Sequence, residues 1–135
     1  MFKPEHYVLI LCCLLLTSCF FDSRFETIKG EYQIGWIDVS ESRAIYNQER
    51  LITPYVFAVG HNSRFIIAKQ HPSTDFPKNS IDKSITNYFA IDMSKNPYPG
   101  QDGIYGPMPK AEFDNFCNRE NINNIEFDMT YDGVP

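Results

Sequence analysis

The sequence predicts an α+β domain, an antiparallel meander of five to six strands with one C-terminal helix packed on a face. Aromatic residues make up 15% of the chain, 11 Phe and 8 Tyr among them, which suits sheet better than helix. From Glu31 apolar residues alternate with a period of two, Tyr32, Ile34 and Trp36 among them, and Ile85, Phe89, Ile91 and Met93 make one face of a later run that Asn87 interrupts. A helical period occurs late, where Phe113, Phe116 and Cys117 recur at i, i+3 and i+4.

The first strand is expected where Tyr32, Ile34 and Trp36 alternate with Gln33 and Gly35. Asp38–Ser42 reads as a turn and Arg43–Asn47 as a second, shorter strand. Pro54 opens a third run, Tyr55–Val59, and Arg64–Gln70 is the fourth. His61-Asn62 between them can occupy a two-residue primed turn, pairing Val59 with Arg64, Phe57 with Ile66 and Tyr55 with Ala68. Both strands are apolar on both faces, so this hairpin should be central and covered on each side. Ile85–Met93 is the fifth strand.

The helix is expected over Pro109–Arg119. Proline suits its first turn, Glu112 and Asp114 its positive end and Arg119 its negative end. Cys117 then falls on the buried stripe. Asn121–Asn124 end the helix, Ile125–Phe127 is a candidate last edge strand, and Asp128–Gly133 reads as a frayed terminus. Two connections, Gln70–Ser84 and Ser94–Met108, are long for a compact domain. The second holds Tyr98 and Tyr105 among three Pro and three Gly, and these tyrosines are the candidate partner contacts.

The N-terminus carries an address. Lys3 precedes an uninterrupted apolar run, Tyr7–Leu16, of the length of an export signal and too short to span a bilayer. The competing reading of the run is a permanent anchor helix. Leu16-Thr17-Ser18-Cys19 after it resembles the bacterial lipobox, in which small residues precede a cysteine that receives diacylglycerol. The organisation expected is therefore a lipoprotein signal peptide at 1–18, a lipidated tether at 19–29 and a single α+β domain at 30–135. Cys19 is the expected attachment site for fatty acyl chains such as palmitate, and two or three chains suffice for stable anchoring. Phe20 stands where an inner-membrane retention signal would carry Asp, which favours the periplasmic face of the outer membrane. The outer face of a monoderm membrane is the alternative.

Charge and cysteine usage narrow the function. Twelve basic against 17 acidic residues leave −5, which argues against a nucleic-acid partner. Loss of residues 1–18 removes Lys3 and Glu5 and leaves this balance unchanged. Cys12 and Cys13 depart with the signal peptide and Cys19 takes lipid. Only Cys117 then remains, and no internal disulfide can form.

No catalytic constellation, metal site or cofactor motif emerges. His61 reads as a turn residue and His71, before Pro72, as a solvated loop residue. Ser80-Ile81-Asp82-Lys83 matches Ser-x-x-Lys, but the Ser-Asp-Asn and Lys-Thr-Gly elements that accompany it in penicillin-binding enzymes are absent from the sequence. Gly100, Gly103 and Gly106 do not have phosphate-loop spacing.

The segments Ile52-Thr53-Pro54-Tyr55-Val56, Phe65–Gln70, Thr86–Asp92 and Tyr105-Gly106-Pro107-Met108 resemble, in this order, a family of small bacterial lipoproteins of unknown function. The resemblance covers roughly residues 25 to 125 and implies a compact, exported, β-rich domain. It carries no activity and no catalytic residues. The expected function is thus a lipid-anchored envelope protein with a non-enzymatic domain that binds a partner or small ligand. An immunity lipoprotein against a periplasm-acting toxin is the alternative, and an envelope hydrolase is the least favoured reading. The expected partners are the membrane, through the lipid, and a protein of the envelope.

Overall fold

Alternating apolar residues on successive strands build two antiparallel sheets that share one core. The computed structural model describes residues 22–74 and 80–131. β1 (Ser23–Lys29), β2 (Tyr32–Ile37), β3 (Ala44–Asn47) and β4 (Glu49–Ile52) form a four-stranded sheet in sequential order. The second sheet runs β10-β9-β6-β5-β11, from β5 (Val56–His61), β6 (Phe65–Gln70), β9 (Asn87–Asp92), β10 (Ile104–Met108) and β11 (Met129–Thr130). β7 (Ser73–Thr74) and β8 (Ser80–Ile81) make a small ribbon, and α1 spans Lys110–Glu120.

The layers follow from which side chains each face presents. Ile28, Ile34, Ile45 and Ile52 of the first sheet pack with Val59, Ile66 and Ile91 of the second. On the other face of the second sheet, Phe65, Ile67 and Ala90 pack under Phe113, Phe116 and Cys117 of α1. The second sheet is therefore covered on both sides, as the doubly apolar runs of β5 and β6 require. The α+β class and the late helix are as expected. The strands are more numerous than the expected meander, and they divide between two sheets.

Five local readings change. Ser23–Lys29, expected as tether, is a strand paired from Ser23↔Ile37 to Lys29↔Tyr32. Its pattern hid because Ile28 alone is buried along it. The central hairpin pairs Val59 with Ala68 and His61 with Ile66, so its turn is Ser63-Arg64. The Asn62 Oδ1 accepts the Arg64 N–H at 2.8 Å and the Phe65 N–H at 2.6 Å, while neither His61 nor Asn62 has positive φ. The two strands slide by four residues relative to expectation, an even number, so each side chain keeps its face.

The last edge strand forms at Met129–Thr130 rather than at Ile125–Phe127. The chain there crosses β5 so closely that a Cβ on Gly60 would lie 1.9 Å from the Glu126 carbonyl oxygen. Phe127 packs instead against Phe113 and Tyr88. Asp128–Tyr131, expected to fray, is tied down, the Tyr131 N–H donating to the Phe57 carbonyl at 3.1 Å. The helix is shifted one residue from expectation. Pro109 is its extended N-cap, and Asn121 closes it in the left-handed region at φ 57°. No helix of the described residues is long and apolar enough to cross a membrane.

Candidate functional site

The edge of the first sheet carries a row of cationic and aromatic side chains. β1 pairs with β2 so that Arg24 stands opposite Trp36 and Glu26 opposite Ile34. β2 pairs Gly35 with Ala44, which brings the preceding Arg43 into line with Trp36. Ile34 is core, so this row lies on the face turned toward the second sheet. Tyr131, just past β11, closes the far wall. The Arg43 guanidinium lies 4.4 Å from the centre of the Tyr131 ring, and the Tyr131 hydroxyl donates to Glu26 Oε2 at 3.1 Å. Burial, then the charge and hydrogen bond of Glu26, push the Tyr131 phenol far above its ordinary value. The resulting cleft has a volume of about 190 Å³.

Its donors are not equally committed. Arg43 spends one N–H on the Ser40 carbonyl at 2.5 Å. Among the described residues Arg24 and the Trp36 indole N–H have no hydrogen-bond partner. On the opposite face of the sheet the Phe25 ring occupies the space over Gly35. A Cβ at Gly35 would come within 2.2 Å of that ring, so no other residue admits this contact. Phe25 also meets Tyr46 edge to face.

Two further polar groups, at opposite ends of the β6–β9 pair, behave differently. Gln70 is only 3% exposed, and its amide donates to the carbonyl of Thr53 at 2.9 Å, to Thr53 Oγ1 at 2.7 Å and to the carbonyl of Pro54 at 2.9 Å. Its Oε1 accepts from the Asn87 amide at 3.1 Å. His71, expected in solvent, is buried with its ring stacked 4.2 Å from Phe57. Because the Ile85 carbonyl 2.7 Å away only accepts, His71 Nδ1 carries the proton. Asp92 is gripped through both carboxylate oxygens by Arg64, at 3.1 and 2.6 Å, and accepts from the backbone and hydroxyl of Ser94. Arg64 first of all holds this carboxylate below its ordinary range. Gln70 and Asp92 are thus saturated by the fold itself.

A family model covers all of these residues. The model described as "Protein of unknown function (DUF3997)" matches residues 22–131. The chain belongs to this family. The match runs from Asp22 to Tyr131, so it takes in every described strand, α1 and both walls of the cleft. No curated protein and no solved structure matches the chain.

Within the family's domain the two tyrosines expected as partner contacts part company. Tyr105 is in β10 opposite Ala90, its ring 4.8 Å from Phe116 and its hydroxyl 3.2 Å from Lys95 Nζ. Lys95 also pairs with Asp102 at 2.7 Å, so the segment is braced internally. Tyr98 is 50% exposed and lies beside Asn47 and Gln48 of the first sheet. One ring serves the helix layer and the other faces solvent on the first sheet's side. Cys19 lies outside the described residues. Cys117 is buried on α1, and desolvation foremost raises its thiol pKa, the opposite of what a nucleophile needs. Among the described residues no three His, Cys, Asp or Glu side chains gather into a metal site.

The Arg24–Trp36–Arg43 row escaped sequence reasoning. The signal available was Trp36, the chain's one tryptophan, at the end of an alternating strand. Arg24 and Tyr131 sit in segments without periodicity, so nothing local pointed at them.

Proposed function

We propose that the protein is a lipid-anchored component of the bacterial cell envelope, held on the periplasmic face of the outer membrane. Its single domain binds a partner or small ligand and does not catalyse a reaction. The observation that carries this reading is the sequence Leu16-Thr17-Ser18-Cys19 directly after the apolar run Tyr7–Leu16. The fold adds a consequence. β1 begins at Ser23, so four Cα steps separate it from Cys19, a span of at most about 14 Å. A diacylglyceryl group on Cys19 would hold the domain against the bilayer with little slack, and the Arg24–Trp36–Arg43 cleft would open beside the headgroups.

The test is metabolic labelling of the full chain with a fatty acid. The wild type takes up label and is processed, whereas Cys19→Ala remains an unlabelled precursor. Continued labelling of Cys19→Ala would falsify the anchor assignment.

A further inference from the structure

We infer that the cleft formed by Arg24, Trp36, Arg43, Glu26 and Tyr131 is an anion site that takes a phosphate group. Adjacent strands are about 4.8 Å apart, so Arg24 and Arg43 flank Trp36 with their backbones about 10 Å from one another. Arginine side chains are long enough for both guanidinium forks to converge on one group beside Trp36. Each fork presents five N–H donors, and the two together have spent one, on Ser40. The single carboxylate in the lining is engaged by the Tyr131 hydroxyl, and the cleft carries a formal charge of +1 in a chain of −5.

The number of forks selects the ligand. One guanidinium satisfies both oxygens of a carboxylate, whereas a phosphate has further oxygens for a second fork and for the indole N–H. Buried Ile34 and the aromatic side chains of Trp36 and Tyr131 give the cleft an apolar lining, and a less polar surrounding strengthens such charge-assisted bonds. The phosphate has two sources, a soluble phosphate compound or the phosphodiester of a membrane lipid. The lipid source rests on anchoring at Cys19, and the anion chemistry does not.

The experiment is calorimetric titration of the intact protein, purified in neutral detergent, with inorganic phosphate and separately with a short-chain phosphatidylglycerol. Trp36 emission is followed in parallel, since no other tryptophan contributes. Saturable binding of at least one probe is expected, with a change in Trp36 emission. Arg24→Gln should weaken it at least tenfold, and Arg24→Lys, which keeps charge but loses the fork, by less. Arg24 is exposed on an edge strand and its side chain makes no hydrogen bond among the described residues, so circular dichroism of Arg24→Gln should match the wild type. Phosphate binding alone would assign a soluble ligand, and binding of the lipid alone would assign a headgroup. No saturable binding of either probe, or binding undiminished in folded Arg24→Gln, would overturn the site. The mass of the intact protein reports lipidation independently. An unlipidated chain that still binds phosphate would reject the anchor while supporting the anion site.

Discussion

Gln70 and Arg24 are both multi-donor polar side chains on antiparallel strands, and the fold treats them in opposite ways. Gln70 is buried, and every polar atom of its amide is used by Thr53, Pro54 and Asn87. Arg24 is exposed at the edge of the first sheet, on the core-facing side, and uses none of its donors within the described residues. A buried amide left unpaired costs as much as a lost hydrogen bond or more, so a saturated cluster reports on folding. Donors that are positioned but unspent contribute nothing to folding and are free for a ligand. The difference between the two regions is therefore one of accounting for hydrogen bonds rather than of polarity.

Mutation should separate them most sharply at Gln70. Gln70→Leu keeps the volume but strands the Thr53 and Pro54 carbonyls and the Asn87 amide. A loss of about 1–3 kcal/mol in urea denaturation is expected from the hydrogen bonds of this buried amide, although Thr53, Pro54 and Asn87 border a cleft and can turn to water. Arg24→Gln should stay within about 0.5 kcal/mol of wild type, the range for surface positions without special contacts. If the two variants lose similar stability, the division between a structural and a binding cluster fails.

A smaller effect is expected from Asp92, the other saturated group. Its carboxyl pKa is depressed in the folded state by Arg64, then by Ser94, below the ordinary value of 3.8. A depressed acid contributes stability above the unfolded pKa and loses that contribution as pH falls through 3.8 toward the folded value. Urea midpoints at pH 5 and pH 3 should therefore differ more in wild type than in Asp92→Asn, which cannot titrate. Asp82, lowered through Ser84, leaves part of the acid sensitivity in the variant. Equal pH dependence in both proteins would show that Asp92 is not coupled to folding.

How much of this was legible depends on where periodicity reaches. β2 and α1 carry their faces in their own sequences through a fixed period, and β3, β5, β6 and β9 show as short apolar runs whose consecutive residues are buried. β1 does not, since Phe25 packs on the outer face against Gly35 and Ile28 alone is buried. β10 contains Gly106 and Pro107, which disguise a strand as a loop. The division into two sheets depends on pairings between distant segments, such as Met129 with Val59, that no local pattern encodes. The cleft was illegible for the same reason. Its walls come from β1, β2, the residue before β3 and the residue after β11, and only the β2 residues Ile34, Gly35 and Trp36 lay in a segment with a clear period.

The smallest stability effect, and the last test of the comparison, concerns Tyr98. Tyr105 belongs with Gln70, because its ring packs on Phe116 and its hydroxyl is bound to Lys95. Tyr98 belongs with Arg24, an exposed aromatic beside Asn47 and Gln48 on a segment already braced by Lys95 and Asp102. A half-exposed ring gives up little burial when truncated, so Tyr98→Ala should change stability by no more than about 0.5 kcal/mol. Exposed tyrosine is favoured at interfaces because it offers a large rigid surface at small entropic cost. As an envelope partner contact, its loss should weaken capture of that partner by about 1 kcal/mol or more, the usual threshold of an interface hot spot. Capture is compared at equal concentrations of folded protein, by pull-down from crosslinked native membranes. Unchanged capture with Tyr98→Ala would remove Tyr98 from the binding surface, while a loss of stability comparable to that of Gln70→Leu would place it among the structural residues.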